Sequence, residues 1–425
     1  MIYIILTFLY IFNFKIIRNT IISSSMLVLF ILFVYAILNS RYSRLMIRNL
    51  YSRYNRIICL CWGSCFIFAL IIPIIQFTFD FSFVSTMLHQ MICLEIGIML
   101  YSFLLYKEKS VINTILDSFI LQSFIQIIAF LSPSFLSITD YFRSDFAINK
   151  RSINYASYRV LAISGSSFFG LASAYAIIFV LLAFYWNKWK YKSPYIKCLF
   201  VAMLLFGGLS AGRTSVVGIF IFIISFLVRT FKRKRITAKK IISLIIIVLC
   251  AIGLGNLINK MLADNRAWQG FLSYILQFYY NFKRGSGIIN ATSSTSVLFN
   301  NMYFKLKLTQ LLIGDGRYTT QDGSYYMQTD AGYMRNILYF GIGGTLLLMF
   351  FQYKMIFSVV KTKYTKLFAI ILFLCLIILE IKAQIIGFLI ISQSIIVLCC
   401  LAIEELENNC IDSTNLPNNE MNTMS

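Results

Sequence analysis

Charge is what this sequence has least of. Only 13% of its 425 residues are charged and 59% are apolar, with a mean hydropathy of +0.78. Soluble proteins carry about 25% charged residues, so this chain lacks the polar surface to cover a water-exposed fold. Proline is scarce too, four in all, and 40 phenylalanines sit in long Ile/Leu/Phe runs. That excludes disorder and a soluble β protein. The alternation of apolar and polar residues that marks a membrane barrel is missing. Histidine is nearly absent: His89 is the only one. There is no Walker loop, no Rossmann glycine fingerprint, no Ser/His/Asp set and no Asp-x-Asp pair. Cys59, Cys61 and Cys65 stand close together, but in an apolar run without histidine partners, so no zinc site is expected. No other metal or cofactor is expected.

What is there is a set of long apolar runs and an excess of bases. A helical membrane span needs about 20 apolar residues. Twelve runs qualify: 2–14, 21–38, 57–79, 86–106, 111–132, 162–186, 198–212, 213–228, 241–258, 335–355, 367–381 and 385–403. The expected class is an all-α polytopic membrane protein with about 12 transmembrane helices and one large, partly helical external loop. The first run lacks the leading charge and cleavage site of a signal peptide, so it is read as a span.

The net charge is +22, from 38 Lys+Arg against 16 Asp+Glu. Nucleic acid is not the reason. The bases lie in short clusters between apolar runs, as orientation signals do. Residues 41–56, 107–109, 188–197, 229–240 and 354–366 hold 22 of the 38. These loops are expected to be cytoplasmic, with both termini on the same side. The stretch 198–228 joins two basic loops and must cross twice, turning near Arg213.

Four regions follow. Helices 1–9 occupy 1–258, with a smaller external segment at 133–161. A large external loop spans 259–336. Helices 10–12 fill 337–403, and a polar tail, 404–425, is expected to be disordered on the cytoplasmic side. All ten cysteines fall in spans or the tail, so no external disulfide is expected. Within the large loop, Trp268, Phe271, Tyr274, Ile275, Phe278 and Phe282 recur at helical spacing, as in an amphipathic helix lying on a membrane. A second helical stretch is expected over 293–312, ending at Gly314-Asp315-Gly316.

Several residues could carry chemistry. Arg213 lies in Ser210-Ala211-Gly212-Arg213-Thr214-Ser215, at the start of a helix whose free amides favour an anion. A guanidinium fork suits phosphate oxygens. A snorkelling anchor is the competing reading. Arg159 stands in the same position before a glycine-rich helix, and two such arginines could share a diphosphate. The densest polar and aromatic stretch runs from Gly314 to Arg335. It holds Asp315, Arg317, Asp330 and Arg335, with Tyr318, Tyr325, Tyr326 and Tyr333 able to stack on sugars. Asp330 is a candidate general base or a helix cap; both readings stay open. Glu95, Asp117 and Glu380, inside spans, are read as structural rather than as proton relays.

Taken together these motifs resemble the Wzy-type O-antigen or polysaccharide repeat-unit polymerases, of the O-antigen polymerase and ligase superfamily. The resemblance rests on Ser210–Ser215 between two short spans and on Arg159 set before Gly170. It rests also on Leu311-Leu312-Ile313-Gly314-Asp315-Gly316, and on Asp330-Ala331-Gly332-Tyr333 leading into Leu338-Tyr339-Phe340-Gly341-Ile342-Gly343-Gly344. It implies a multi-pass protein of the bacterial inner (plasma) membrane that needs no cofactor. The growing glycan would pass from undecaprenyl diphosphate to the next lipid-linked oligosaccharide unit. Arg213 and Asp330 would be catalytic, with Arg159, Arg213, Asp315, Arg317, Tyr333 and Arg335 binding substrate. Membrane lipids, a chain-length regulator and a flippase are the partners it implies. The related ligases carry a histidine in their large external loop; this loop has none. A transporter or flippase of lipid-linked oligosaccharide, or a ligase, is the alternative.

Overall fold

Helices account for the regular structure of this chain. The computed structural model describes residues 1–17, 22–143, 159–232, 260, 263–285, 287, 289–320 and 322–414. No strand is present among them; the pairing that exists is two isolated bridges, Lys15 with Ser23 and Thr319 with Tyr325.

The chain opens with α1 (Ile2–Phe12), α2 (Ser24–Leu38) and the basic α3 (Ser40–Leu50). Next come α4 (Arg53–Ile75), α5 (Ser82–Tyr106), α6 (Val111–Leu131) and the short α7 (Pro133–Asp140). Then follow α8 (Phe168–Tyr185), α9 (Pro194–Ala211) and α10 (Val216–Lys232), with a single tight turn at Arg213–Ser215 between the last two. The loop region holds α11 (Arg266–Lys283), α12 (Ser293–Val297) and α13 (Leu308–Leu312). The chain closes with α14 (Gly332–Phe357), α15 (Lys363–Glu380) and α16 (Ile390–Thr414).

Six of these helices (α4, α5, α6, α8, α9 and α14) are long and apolar enough to cross a membrane, while α1, α2 and Arg213–Val228 are apolar but shorter. The expected span 241–258, the part of the 404–425 tail beyond 414 and most of 133–161 lie outside the described residues, while 404–414, expected to be disordered, continue helix α16.

Helix α8 is the centre of the bundle. Every residue from Gly170 to Tyr185 is buried. It packs against α9, α10, α15 and α16. Without water to drive apolar surfaces together, membrane helices hold by close packing of small residues. Gly218 of α10 shows this: a methyl there would collide with the Ala176 backbone of α8. Lys197 at the start of α9 reaches Trp186 at the end of α8, while Gly207 and Gly208 meet Tyr175. On the other side Gly218 meets Ala176, and Phe226 meets Trp186 edge-on. So α9 runs antiparallel to α8 and α10 runs parallel to it. The stretch 198–228 is a helical hairpin that turns at Gly212–Ser215, as the basic loops on either side require.

Two stretches of irregular backbone enter the same end of the bundle, one before α8 and one before α16. Non-helical backbone inside an apolar bundle must find partners for its amides and carbonyls. In the first stretch, Gln122 and Gln126 of α6 donate to the carbonyls of Leu161 (2.8 Å) and Val160 (2.9 Å), and Arg143 donates to those of Ala162 and Ser164. In the second, the Glu380 carboxylate accepts from the amides of Ile385 (2.6 Å) and Ile386 (2.7 Å). Gln352 accepts from Gly387 (3.0 Å) and from the Gln393 side chain (2.7 Å).

Helix α14 breaks at Phe340 and Gly341, where φ at the glycine is +66°. The break frees two carbonyls, and the Gly314-Asp315-Gly316 turn fills them. The amide of Asp315 donates to Leu338 (2.6 Å) and that of Gly316 to Tyr339 (3.1 Å). From α4, Gln76 and from the loop beyond it Thr78 hold the carbonyls of Gly314 and Gly316 (2.9 and 2.7 Å).

Candidate functional site

The two arginines flagged from sequence meet at the end of the bundle where α8 begins. Arg159 lies in the irregular segment that α6 holds in place, and it is buried. Its Nη2 donates to the carbonyl of Ala211, the last residue of α9. The guanidinium carbon lies 4.2 Å from the Phe168 ring and 5.3 Å from the Tyr274 ring. Gly212 makes room for it, because a methyl there would sit 3.0 Å from Nη2.

Arg213 approaches the same tyrosine, with its guanidinium carbon 4.3 Å from the ring. Its backbone amide donates to the Tyr274 hydroxyl (3.3 Å). Nη1 donates to the Tyr274 carbonyl (3.2 Å) and to Gln277 Oε1 (2.7 Å), and Nη2 to Ser294 Oγ (3.1 Å). Each of these acceptors is neutral, so none cancels the charge. Measured through the shared ring, the two guanidinium carbons are at most about 10 Å apart, the sum of their distances to it.

Helix α11 brings Tyr274 into place. Trp268, Phe271 and Ile275 pack against Ala129, Phe130, Phe206 and Leu209, while Phe278 and Phe282 face outward. A helix forms where the aromatic spacing predicts one, but Phe278 and Phe282 do not share its packed face. The second expected helix, 293–312, is instead broken into α12, a wide turn over 298–302, extended backbone and α13. Tertiary contacts end it early. Leu298 packs on Ala331 and Met334, Thr329 donates to the Met302 carbonyl (3.0 Å), and Tyr303 donates to the Ile381 carbonyl (2.6 Å).

Those contacts bring the segment with Asp330 against the turn that holds Lys382. Gly332 has no room for a side chain because Glu380 and Ala383 lie against it, so residues 330–332 and 380–383 are neighbours. Lys382 sits in the turn after α15. Burial pushes its ammonium down from 10.5 to about 8, followed by the charges of Arg213 and Arg159, while Asp330 pulls the other way. Among the described residues, Arg213, Arg159 and Asp330 are the charges that act on Lys382. A guanidinium held by neutral acceptors, as Arg213 is, suits an anion.

The other flagged residues form a second group. The Asp315 carboxylate accepts from Gln310 (2.8 Å) and from the Tyr326 hydroxyl (3.1 Å). Arg335 is buried between two rings, with its guanidinium carbon 4.0 Å from Tyr318 and 3.7 Å from Tyr325. Its Nη2 is buried without a hydrogen-bond partner. Arg317, which is exposed, joins Tyr318, Tyr326, Arg335 and Leu338 around one small cleft. Tyr333 is not aimed at this group: its hydroxyl donates to the Ile377 carbonyl of α15 (3.0 Å).

Asp80, which sequence reasoning passed over, anchors this loop. It accepts from the amides of Tyr318 (2.6 Å) and Thr319 (2.9 Å) and from Ser82. Burial works to raise its pKa, but these hydrogen bonds outweigh it and hold the carboxyl below its ordinary value.

The acids inside the helices have structural partners. Asp117 pairs with Lys190 and accepts from Tyr191, Glu95 accepts from Asn55 and Cys59, and Glu380 holds the segment before α16. A cavity of about 220 Å³ opens where α8 and α16 begin, but no charged side chain lines it. Among the described residues, no cluster of histidine, cysteine and acidic side chains could hold a metal ion. No protein-family model, curated protein or solved structure matches the chain.

Proposed function

We propose that this chain is a glycosyltransferase that polymerises oligosaccharide units carried on undecaprenyl diphosphate. It would work at the outer face of a bacterial plasma membrane and make an O-antigen or capsular-type polysaccharide. The carrying observation is that Arg159 and Arg213, 54 positions apart in sequence, face one tyrosine ring at the end of an apolar bundle. A lipid diphosphate needs that combination: apolar flanks for its chain and fixed cations for its head.

In the reaction, the bond between the anomeric carbon and the diphosphate oxygen breaks. The acceptor hydroxyl oxygen bonds to the same carbon. Its proton passes to a base, for which Asp330 is the candidate. The electron pair leaves with undecaprenyl diphosphate, whose charge Arg159 and Arg213 stabilise in place. The aromatic group around Arg335, with Asp315 and Arg317, serves the acceptor glycan. The rest of catalysis is positioning.

The test uses purified protein in detergent with lipid-linked repeat units. Products longer than one unit, with release of undecaprenyl diphosphate, are expected. Movement of the substrate across vesicles with no new glycosidic bond would identify a flippase. Transfer only onto a lipid A core acceptor would identify a ligase.

A further inference from the structure

Arg335 is a buried charge that no protein anion answers. It lies in the first turn of α14 and is 7% exposed. Its guanidinium carbon is 4.0 Å from the Tyr318 ring and 3.7 Å from the Tyr325 ring, and its Nη2 has no hydrogen-bond partner. Among the described residues, no carboxylate pairs with it. The acids around it are engaged elsewhere. Glu380 is near enough to feel its charge, but accepts from the amides of Ile385 and Ile386 and from Asn336. Asp315 accepts from Gln310 and Tyr326, and Asp80 from the amides of Tyr318 and Thr319. Two rings attract a cation through their faces. They do not accept the N–H bonds at its edge, and a buried charge short of such partners is costly.

We propose that Arg335 recognises a carboxylate-bearing sugar, so that the glycan this protein joins is an acidic one. This inference rests on the polymerase reading given above and names the chemical class of its acceptor unit.

The rings decide which anion fits. They cover the faces of the guanidinium and leave its edge, so an anion must approach in the guanidinium plane. A carboxylate is flat and meets the fork with two parallel hydrogen bonds. A phosphate is tetrahedral, and its remaining oxygens would project toward the rings. Access is through the cleft that Arg335 shares with Arg317, Tyr318, Tyr326 and Leu338. With Arg317 in place this cleft is too narrow for an anion. Arg317 is its exposed wall, and exposed side chains change rotamer within nanoseconds. Turning Arg317 outward opens the edge of Arg335 and leaves a second cation at the opening, where its charge draws an anion in.

The experiment gives the full-length protein, in detergent, two substrates. One is the lipid-linked unit isolated from the cells that carry the protein. The other is a synthetic counterpart in which CH₂OH replaces each sugar carboxylate. Mass spectrometry of the isolated unit should find at least one carboxylate sugar. Wild type should polymerise that unit with a KM at least tenfold below that for the neutral counterpart, as a hydrogen bond to a charged group implies. Arg335→Gln should erase the preference. Its KM for the isolated unit should rise to the neutral value with kcat little changed, the mark of lost uniform binding. Arg335→Lys keeps the charge without the fork and should recover only part of the preference. A merely structural arginine would move both substrates alike. Comparing the two units on wild type needs no variant, so a poorly folded Arg335→Gln does not block the test. A neutral isolated unit that is still polymerised, or equal KM values for the two units on wild type, overturns this inference and leaves the polymerase reading standing. No polymer from the isolated unit overturns that reading, and this inference with it.

Discussion

At the scale of single residues, the arginine pair separates a binding site from a membrane-edge anchor. Arg213 uses both arms of its fork, on Tyr274, Gln277 and Ser294. Lysine cannot span three such acceptors. Loss of one transition-state donor costs roughly 10²–10³ in rate. Arg213→Ala should therefore cut the initial polymerisation rate by about that factor, and Arg213→Lys by less. Groups that act as a unit fail together, so the Arg159/Arg213 double variant should be little worse than either single. An anchor makes the opposite prediction: lysine at both positions should polymerise at near-normal rates for matched protein levels in the membrane. Glu380 poses a similar choice between structure and chemistry. One of its oxygens accepts two backbone amides and the other accepts from Asn336 (3.0 Å). Glu380→Gln puts an N–H₂ where one of those acceptors was. A buried group left unsatisfied costs about 1–3 kcal/mol, so the variant should melt earlier in detergent. A proton relay would instead lose activity with melting unchanged.

At the scale of elements, the break in α14 is the joint between the loop and the bundle. Gly341 has φ +66° and ψ −170°, a region in practice reserved for glycine, and it lies against the Leu312 backbone. Gly341→Ala should cost about 1–3 kcal/mol from the backbone alone. It should also release Asp315–Tyr318 from their seat, which limited proteolysis of the loop would detect as faster cleavage near 317. Unchanged protection would mean that the turn does not depend on the break.

This joint also shows what a sequence can reveal. The Gly314-Asp315-Gly316 stop is legible because glycine ends helices locally. Its partner is not, because nothing near Leu338 announces that Asp315, 23 residues earlier, will take its carbonyl. Helix α11 is legible from its aromatic period. The break between α12 and α13 is not, since Thr329 and Tyr303 impose it from outside the segment. Arg159 and Arg213 stand out as charges beside glycine-rich helices. Lys382 is a single base between two apolar runs, and only the packing of Gly332 on residues 380–383 reveals its neighbours. Asp80 is hidden for the same reason.

At the scale of the whole molecule, the fold sorts charge by end. Arg159, Arg213 and Lys382 sit where α8, α10 and α16 begin. Contacts at the far end join the remaining helix termini: Asn39 with Tyr106, Lys190 with Asp117, Tyr364 with the Phe184 carbonyl, and Thr362 with Glu407. The basic clusters at 41–56, 107–109, 188–197 and 354–366 flank those termini. Loops rich in lysine and arginine stay on the cytoplasmic side, so the far end should be cytoplasmic and the arginine site external. Reporter fusions test this directly. A reporter that is active only outside the cytoplasm should work after residue 290 and be silent after residues 50, 235 and 363. One that is active only inside should give the reverse. The result bears on chemistry as well as topology. Completed repeat units on undecaprenyl diphosphate would be joined on the outer face, and a diphosphate site facing the cytoplasm could not meet them. A cytoplasmic signal at 290 would therefore reject the polymerase reading, whatever the arginine variants did.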